Sequence, residues 1–156
     1  MKAVTLKELK AEINTLSQPE IIDLCMHLAK YKKENKELLS YLLFEAHDEL
    51  SFIKKVKDLM IEQFKDVNKS SLYLAKKTLR KILRSTNRFI KYSGSKKVEV
   101  ELLLFFCKQI RSTEIPLNPN TVLGNIYQRQ IQKIKKALAS LHEDLQFDYS
   151  EEIKGL

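Results

Sequence analysis

Apolar residues recur at intervals of three and four along most of the chain, which is the spacing of one helical face. This pattern predicts helices over about 6–15, 18–32, 36–46, 48–65, 72–92, 97–112 and 119–145. Whether residues 36–65 form two helices or one bent helix stays open, because His47-Asp48 is a weak break. No segment is convincing as a strand. The predicted fold class is all-α, with about seven helices in an antiparallel bundle or a short HEAT-like stack of helix pairs.

Residues at the predicted helix ends carry capping chemistry. The segments 5–8 and 17–20 both have a hydroxyl residue followed three positions later by glutamate, which fits a capping box. Asp48 can cap the helix that follows it. Gly94 is expected to stop the helix over 72–92, and Asn118, followed by proline, is expected to open the last helix. These signals set the predicted boundaries.

Length and composition favour one compact domain. The 156 residues are 44% apolar, which predicts a single all-helical domain over 1–147 and a loosely ordered acidic tail over 148–156. The longest purely apolar run, 102–107, is far shorter than the roughly 20 residues of a membrane-spanning helix. The N-terminus leads directly into an amphipathic pattern, without an apolar signal core. We therefore expect a cytoplasmic protein with two free thiols, Cys25 and Cys107.

The start of the second helix resembles known domains of unassigned activity. The segment Leu16-Ser17-Gln18-Pro19-Glu20-Ile21-Ile22 and the Lys- and Leu-rich helix after it look like uncharacterised bacterial all-helical domains with HEAT- or armadillo-like helix pairs. The resemblance covers about the first 45 residues, and its motif is mostly capping chemistry. It implies a helical fold and carries over no activity.

Positive charge is concentrated in one segment. No acidic residue occurs between Asp66 and Glu99, whereas this stretch carries ten basic residues. Residues 1–66 carry 11 basic and 12 acidic side chains, and residues 99–156 carry 7 and 8, so the whole net charge of +8 comes from the middle. The candidate anion- or partner-binding residues, over about 72–97, are Lys76, Lys77, Arg80, Lys81, Arg84, Arg88, Lys91, Lys96 and Lys97.

Helical geometry places most of these cations opposite the apolar face, and Tyr73 shares their side. Such a stripe suits the phosphates of nucleic acid, an acidic protein surface or anionic lipid headgroups. A charged outer face is also what keeps an amphipathic helix soluble. However, a merely solvated helix gains from interleaved opposite charges, and this helix has none. No helix-turn-helix, zinc-finger or RNA-binding aromatic motif indicates base-specific recognition.

The predicted last helix carries a heptad-like seam. Its members are Tyr127, Ile131, Ile134, Leu138, Leu141 and Leu145, spaced 4-3-4-3-4. The seam can pack on the rest of the same domain, or it can form a dimer interface or a docking ridge for a partner helix. We therefore expect a monomer, or a homodimer through the last helix.

Motifs for catalysis or metal binding are weak. The three glycines stand alone, which excludes a glycine-rich phosphate loop, and the three histidines have no metal-ligand spacing. Asp23 and His27 are i, i+4 neighbours, but no nucleophile accompanies them. Glu45, Asp48 and Glu49 are more simply a solvated, cap-forming cluster. We predict no cofactor, metal or catalytic residue.

Three hypotheses of function remain from the sequence. The first is a non-catalytic helical scaffold or interaction module, which binds a macromolecular partner through the basic helix, the last helix or both. For such a module we expect a protein partner ahead of nucleic acid. The second is a nucleic-acid-associated protein that makes nonspecific phosphate contacts. The third is an enzyme of unfamiliar type, which requires a concave pocket with convergent titratable groups.

Overall fold

A computed structural model describes residues 2–156, and these residues form eight α-helices and no strand. The helices are α1 Leu6–Ile13, α2 Gln18–Tyr31, α3 Lys33–Ser40, α4 Glu49–Lys65, α5 Leu72–Ser93, α6 Lys96–Ser112, α7 Val122–Leu138 and α8 Glu143–Lys154. A π-helical segment, Tyr41–Glu45, follows α3. The predicted all-α class is confirmed for the part of the chain that the structure describes.

Contacts along the backbone group the chain into two compact units. The N-terminal unit ends at Phe44, and the C-terminal unit comprises Glu45–Leu156. The sequence predicted a single domain over 1–147, and no change of composition marks a boundary at Phe44. The division lies inside the π-helical segment.

The N-terminal unit consists of α1, α2 and α3. The predicted capping box of α1 is present: the Glu8 carboxylate accepts a hydrogen bond from the Thr5 backbone N–H at 2.7 Å, and the Thr5 hydroxyl accepts one from the Glu8 N–H at 3.3 Å. Helices α2 and α3 pack against each other. The Asn35 side-chain amide joins them by donating to the Leu28 carbonyl at 2.8 Å.

The C-terminal unit is built around α6, which contacts α4, α5 and α7. Its buried residues are Val98, Val100, Leu102, Leu103, Leu104, Phe106, Cys107 and Ile110. They cover most of the circumference of the helix, which is typical of a helix enclosed by others. Phe64 of α4 packs on Phe106, with ring centroids 5.7 Å apart. The apolar sequence of α6 thus fits its place at the centre of the unit.

The break within residues 36–65 is real. Helix α3 passes into the π-helical segment, and α4 then starts from Asp48. The Asp48 carboxylate accepts a hydrogen bond from the Ser51 N–H at 3.0 Å, which confirms its predicted role as a cap. Residues 36–65 therefore form two helices and not one.

The predicted last helix over 119–145 is wrong at both ends. Asn120 has a φ of 66°, which ends any helical path from Asn118, and Thr121 caps α7 instead by accepting from Gly124 N–H at 3.0 Å. At the other end α7 stops at Leu138, and a new helix begins after His142. The predicted seven helices therefore become eight.

The C-terminal residues form α8, where the sequence predicted a loosely ordered tail over 148–156. Tyr149 is buried, and its hydroxyl donates to the carboxylate of Glu101 in α6. Lys108 of α6 reaches Glu152 at 2.6 Å. The acidic composition obscured these contacts, because the partners lie more than 40 residues earlier in the chain.

Candidate anion-binding face of helix α5

Helix α5 buries one side and exposes the opposite one. Its fully buried side chains are Ala75, Leu79, Ile82 and Thr86. At 100° per residue these residues share one side, and Arg80 and Arg84 lie opposite them, exposed to solvent. Ser71 caps the helix by accepting from the Leu74 N–H at 3.4 Å. Gly94 ends it with a φ of 63°, a left-handed conformation that favours glycine.

The nine predicted cations differ in exposure and in partners. Six of them are exposed: Lys77, Arg80, Lys81, Arg84, Lys91 and Lys96. The other three are half-buried: Lys76, Arg88 and Lys97. Lys96 forms an ion pair with Glu99 at 2.7 Å. Lys97 lies 3.7 Å from Glu49 of α4. The two cations that follow α5 therefore already have carboxylate partners.

Arg88 also belongs partly to the packing of the unit. It is half-buried, and its guanidinium carbon lies 5.7 Å from the ring centroid of Phe89. By contrast, five cations make no ion pair with any of residues 2–156: Lys77, Arg80, Lys81, Arg84 and Lys91. The predicted set thus divides into cations with structural contacts and cations that face solvent.

An open cleft of about 720 Å³ lies among the side chains of the first half of α5. Its lining comprises Tyr73, Lys76, Lys77, Thr78, Arg80, Lys81 and Arg84. We call the five cations of this lining the basic face. All of the lining residues belong to one helix, so the cleft is formed by long side chains and not by walls of neighbouring helices. It can receive an extended anion, but it does not enclose a small substrate.

Tyr73 stands at the N-terminal end of the basic face. Its side chain is 68% exposed, and the ammonium of Lys76 lies 5.2 Å from its ring centroid. No acidic residue occurs in the first turn of α5, where the helix dipole places partial positive charge. The dipole therefore adds to the field of the cations at this end.

The residues of the predicted heptad-like seam do not lie on one helix. Tyr127 and Ile134 are buried, and Ile131 and Leu138 are half-buried, on the helix that packs most extensively against α6. Leu141 falls between the helices, and Leu145 belongs to α8. The Tyr127 hydroxyl donates to the Leu156 carbonyl at 2.9 Å. The first four seam residues thus contribute to the unit's own packing.

A polar group that the sequence did not indicate joins three helices. The Glu101 carboxylate of α6 accepts from Lys57 Nζ of α4 at 2.5 Å and from the Tyr149 hydroxyl of α8 at 2.5 Å. Lys57 also lies 5.6 Å from the ring centroid of Phe105. Sequence separations of 44 and 48 residues hid this group, since local spacing carries no signal for it. Both carboxylate oxygens are engaged, which indicates a structural role.

The hydrogen bonds shift the ionisation of this group. Burial raises the pKa of Glu101, but the bonds from Lys57 and Tyr149 outweigh burial and hold it below its ordinary 4.5. Burial and the bond to Glu101 raise the pKa of Tyr149 well above its ordinary 10. Stability from Glu101 is therefore complete above pH 4.5 and is lost as pH falls through its lowered pKa. Stability from Tyr149 is complete below pH 10 and is lost as pH rises further.

We expect Tyr149→Phe to lower the free energy of unfolding by about 1–2 kcal/mol at neutral pH, because it removes a hydrogen bond to a charged group. Urea unfolding followed by circular dichroism measures the change. The difference from the parent chain should shrink below pH 4.5 and above pH 10. Tyr73→Phe is the control, since Tyr73 is exposed and keeps an aromatic ring for Lys76. A pH-independent difference would contradict the assigned contacts.

Comparisons with known proteins give no relative. No protein-family model matches the chain, and no curated protein or solved structure matches it either. The resemblance of the first 45 residues to bacterial helical domains stays a prediction. The interpretation of the site thus rests on its own geometry.

The remaining candidate groups do not converge. Within residues 2–156, no three His, Cys, Asp or Glu side chains are placed to hold a metal ion. Asp23 and His27 are both exposed on α2. Burial raises the pKa of Cys107 to about 12, so it stays a thiol. No helix in this part of the chain is long and apolar enough to cross a membrane.

Proposed function

We propose that the protein is a non-catalytic helical interaction module that binds a polyanionic macromolecule through the basic face of α5. Nucleic acid is the class of partner that fits this face best. The carrying observation is that exposed cations on one helix face have no carboxylate partners, whereas the cations at the end of the segment do. A helix that was only solvated would gain stability from interleaved acidic residues.

The composition of the face favours phosphates over a protein partner. The centres of protein interfaces are depleted in lysine and consist mainly of aromatic, methionine and arginine side chains in desolvated pockets. The centre of the basic face offers long cationic side chains, and Tyr73 lies at its end. Binding through charge alone suits a repeated anion, which displaces condensed counterions as each phosphate is neutralised.

The length of the face sets the size of the contact. Lys76 and Arg84 are eight residues apart, which corresponds to about 12 Å along the helix axis. One strand of nucleic acid places about three or four phosphates in that length. The face has no base-reading motif, so we expect contacts to the backbone without sequence preference.

Binding to a labelled DNA duplex of mixed sequence, measured by fluorescence anisotropy across a series of salt concentrations, tests the proposal. The logarithm of the association constant should fall linearly with the logarithm of salt, with a slope of about −3 for three or four phosphates. A second duplex of unrelated sequence should bind with the same constant. Phosphate contacts are strong at about 20–50 mM salt. Absence of binding in this range would reject nucleic acid as the partner.

A further inference from the structure

A groove with a basic rim lies between α2 and α3 of the N-terminal unit. Its volume is about 570 Å³. Apolar side chains form most of its floor, including Met26, Leu39, Leu43 and Phe44. Four lysines form its rim: Lys30, Lys32, Lys33 and Lys36. The combination of an apolar floor and a cationic rim is suited to an acidic amphipathic helix.

The apolar floor is accessible to a partner. Leu43 is 62% exposed and Phe44 is 70% exposed. None of α1, α2 and α3 contains a buried residue. A unit of 44 residues with so little buried surface is close to the limit of about 40 residues below which domains usually need further stabilisation. Covering this groove would supply the burial that the helices do not provide for one another.

An acidic ridge of matching composition lies on α8. Phe147 is 73% exposed, although large aromatic side chains are ordinarily buried. Exposed carboxylates lie three or four positions from it along the helix, at Glu143, Asp144 and Glu151, and the exposed Asp148 follows it directly. The opposite side of α8 faces α6 through Tyr149. The ridge therefore points away from the core of its own unit.

We propose that the α8 ridge of one copy binds the lysine-rimmed groove of a second copy, so that the chain self-associates. Phe147 packs on Leu39, Leu43 and Phe44, and the carboxylates meet the lysine rim. The basic face of α5 is a poorer acceptor, because its lining offers no apolar floor for Phe147. This inference does not depend on the proposed nucleic-acid function.

Sedimentation velocity of the full chain over a range of protein concentrations tests self-association. We expect the mean mass to rise with concentration and association to weaken as salt is added, because charge pairs line the contact. Phe147→Ser should raise the dissociation constant of self-association about tenfold or more, since it removes one buried aromatic side chain from the contact. Far-ultraviolet circular dichroism verifies that the variant stays helical.

Exchange of charges identifies the two surfaces. Lys30→Glu with Lys36→Glu should weaken association, and Asp148→Lys with Glu151→Lys should weaken it too. The quadruple variant, which restores opposite charges across the contact, should associate more tightly than either double variant. Lys133→Glu with Lys136→Glu is the matched control, because both lysines are exposed on α7 and belong neither to the lining of the groove nor to α8.

A chain that stays monomeric at all concentrations and low salt would overturn the proposal. Failure of the quadruple variant to recover association would overturn the assigned pairing of surfaces. Loss of association in Arg80→Glu with Arg84→Glu, while the groove variants still associate, would mean that α8 binds the basic face. That result would also reject the proposed contact with the groove. Nucleic-acid binding is measured separately with the same variants, so failure here leaves the proposed function standing.

Discussion

Replacing Gly124 with alanine is expected to lower the free energy of unfolding by about 2 kcal/mol or more, although glycine-to-alanine changes within helices ordinarily stabilise. A Cβ atom on Gly124 would lie 2.1 Å from the carbonyl oxygen of Asn118. That oxygen belongs to the backbone, so no side-chain rotation relieves the clash. The connection before α7 must shift, together with the cap that Thr121 provides.

Thermal and urea unfolding of Gly124→Ala measure this loss. Gly155→Ala is the matched control, because its Cβ would meet its nearest neighbour, the Glu152 carbonyl oxygen, at an ordinary 3.5 Å. We expect the control to change the free energy of unfolding by less than about 0.5 kcal/mol. Equal or greater stability of Gly124→Ala would show that the connection before α7 follows another path. A comparable loss in both variants would point to a general effect of added methyl groups.

Reversal of charge at the centre of the basic face is expected to weaken DNA binding about 100-fold at low salt, since two attractions become two repulsions. The variant is Arg80→Glu with Arg84→Glu. Both arginines are exposed and make no ion pair with any described residue, so the fold should be retained. Arg88 is left unchanged because it is half-buried beside Phe89. The salt dependence of the remaining binding should be shallower by about 2 or more.

A control for net charge accompanies this variant. Lys133→Glu with Lys136→Glu changes the charge by the same amount on the exposed side of α7. We expect it to weaken DNA binding by less than about fivefold, through the general field of the protein alone. Equal weakening by both variants would mean that binding follows net charge and that α5 has no special role. Retained binding in the arginine variant would reject the basic face as the contact surface.

Local sequence carried most of the secondary structure. The capping pair Thr5 and Glu8, the cap at Asp48 and the stop at Gly94 all act through bonds or dihedral angles within a few residues, and the structure contains each of them. The predicted start of α7 was wrong, because asparagine serves both as a helix cap and as a residue with positive φ. The sequence predicted a cap at Asn118, whereas Asn120 adopts a positive φ and the helix starts after it.

The candidate site was only partly predictable. The absence of acidic residues between Asp66 and Glu99 located the positive charge within one segment. Which cations face solvent without a partner was not predictable, since Glu49, the partner of Lys97, lies far away in the chain. The exposed Phe147 also gave no signal, because helical spacing alone does not say which side of α8 the core covers.

The sequence by itself determined that the described chain is all-helical, where most helices begin and end, and where positive charge accumulates. These properties depend on interactions within about four residues, which the order of amino acids states directly. Only the tertiary structure decided that Lys57 and Tyr149 both donate hydrogen bonds to Glu101. It alone also shows that a Cβ atom at Gly124 would clash with the backbone, and which cations of α5 have no ion pair with a described residue. Each of these depends on which helices pack together, and packing joins residues whose separation in sequence carries no periodic signal.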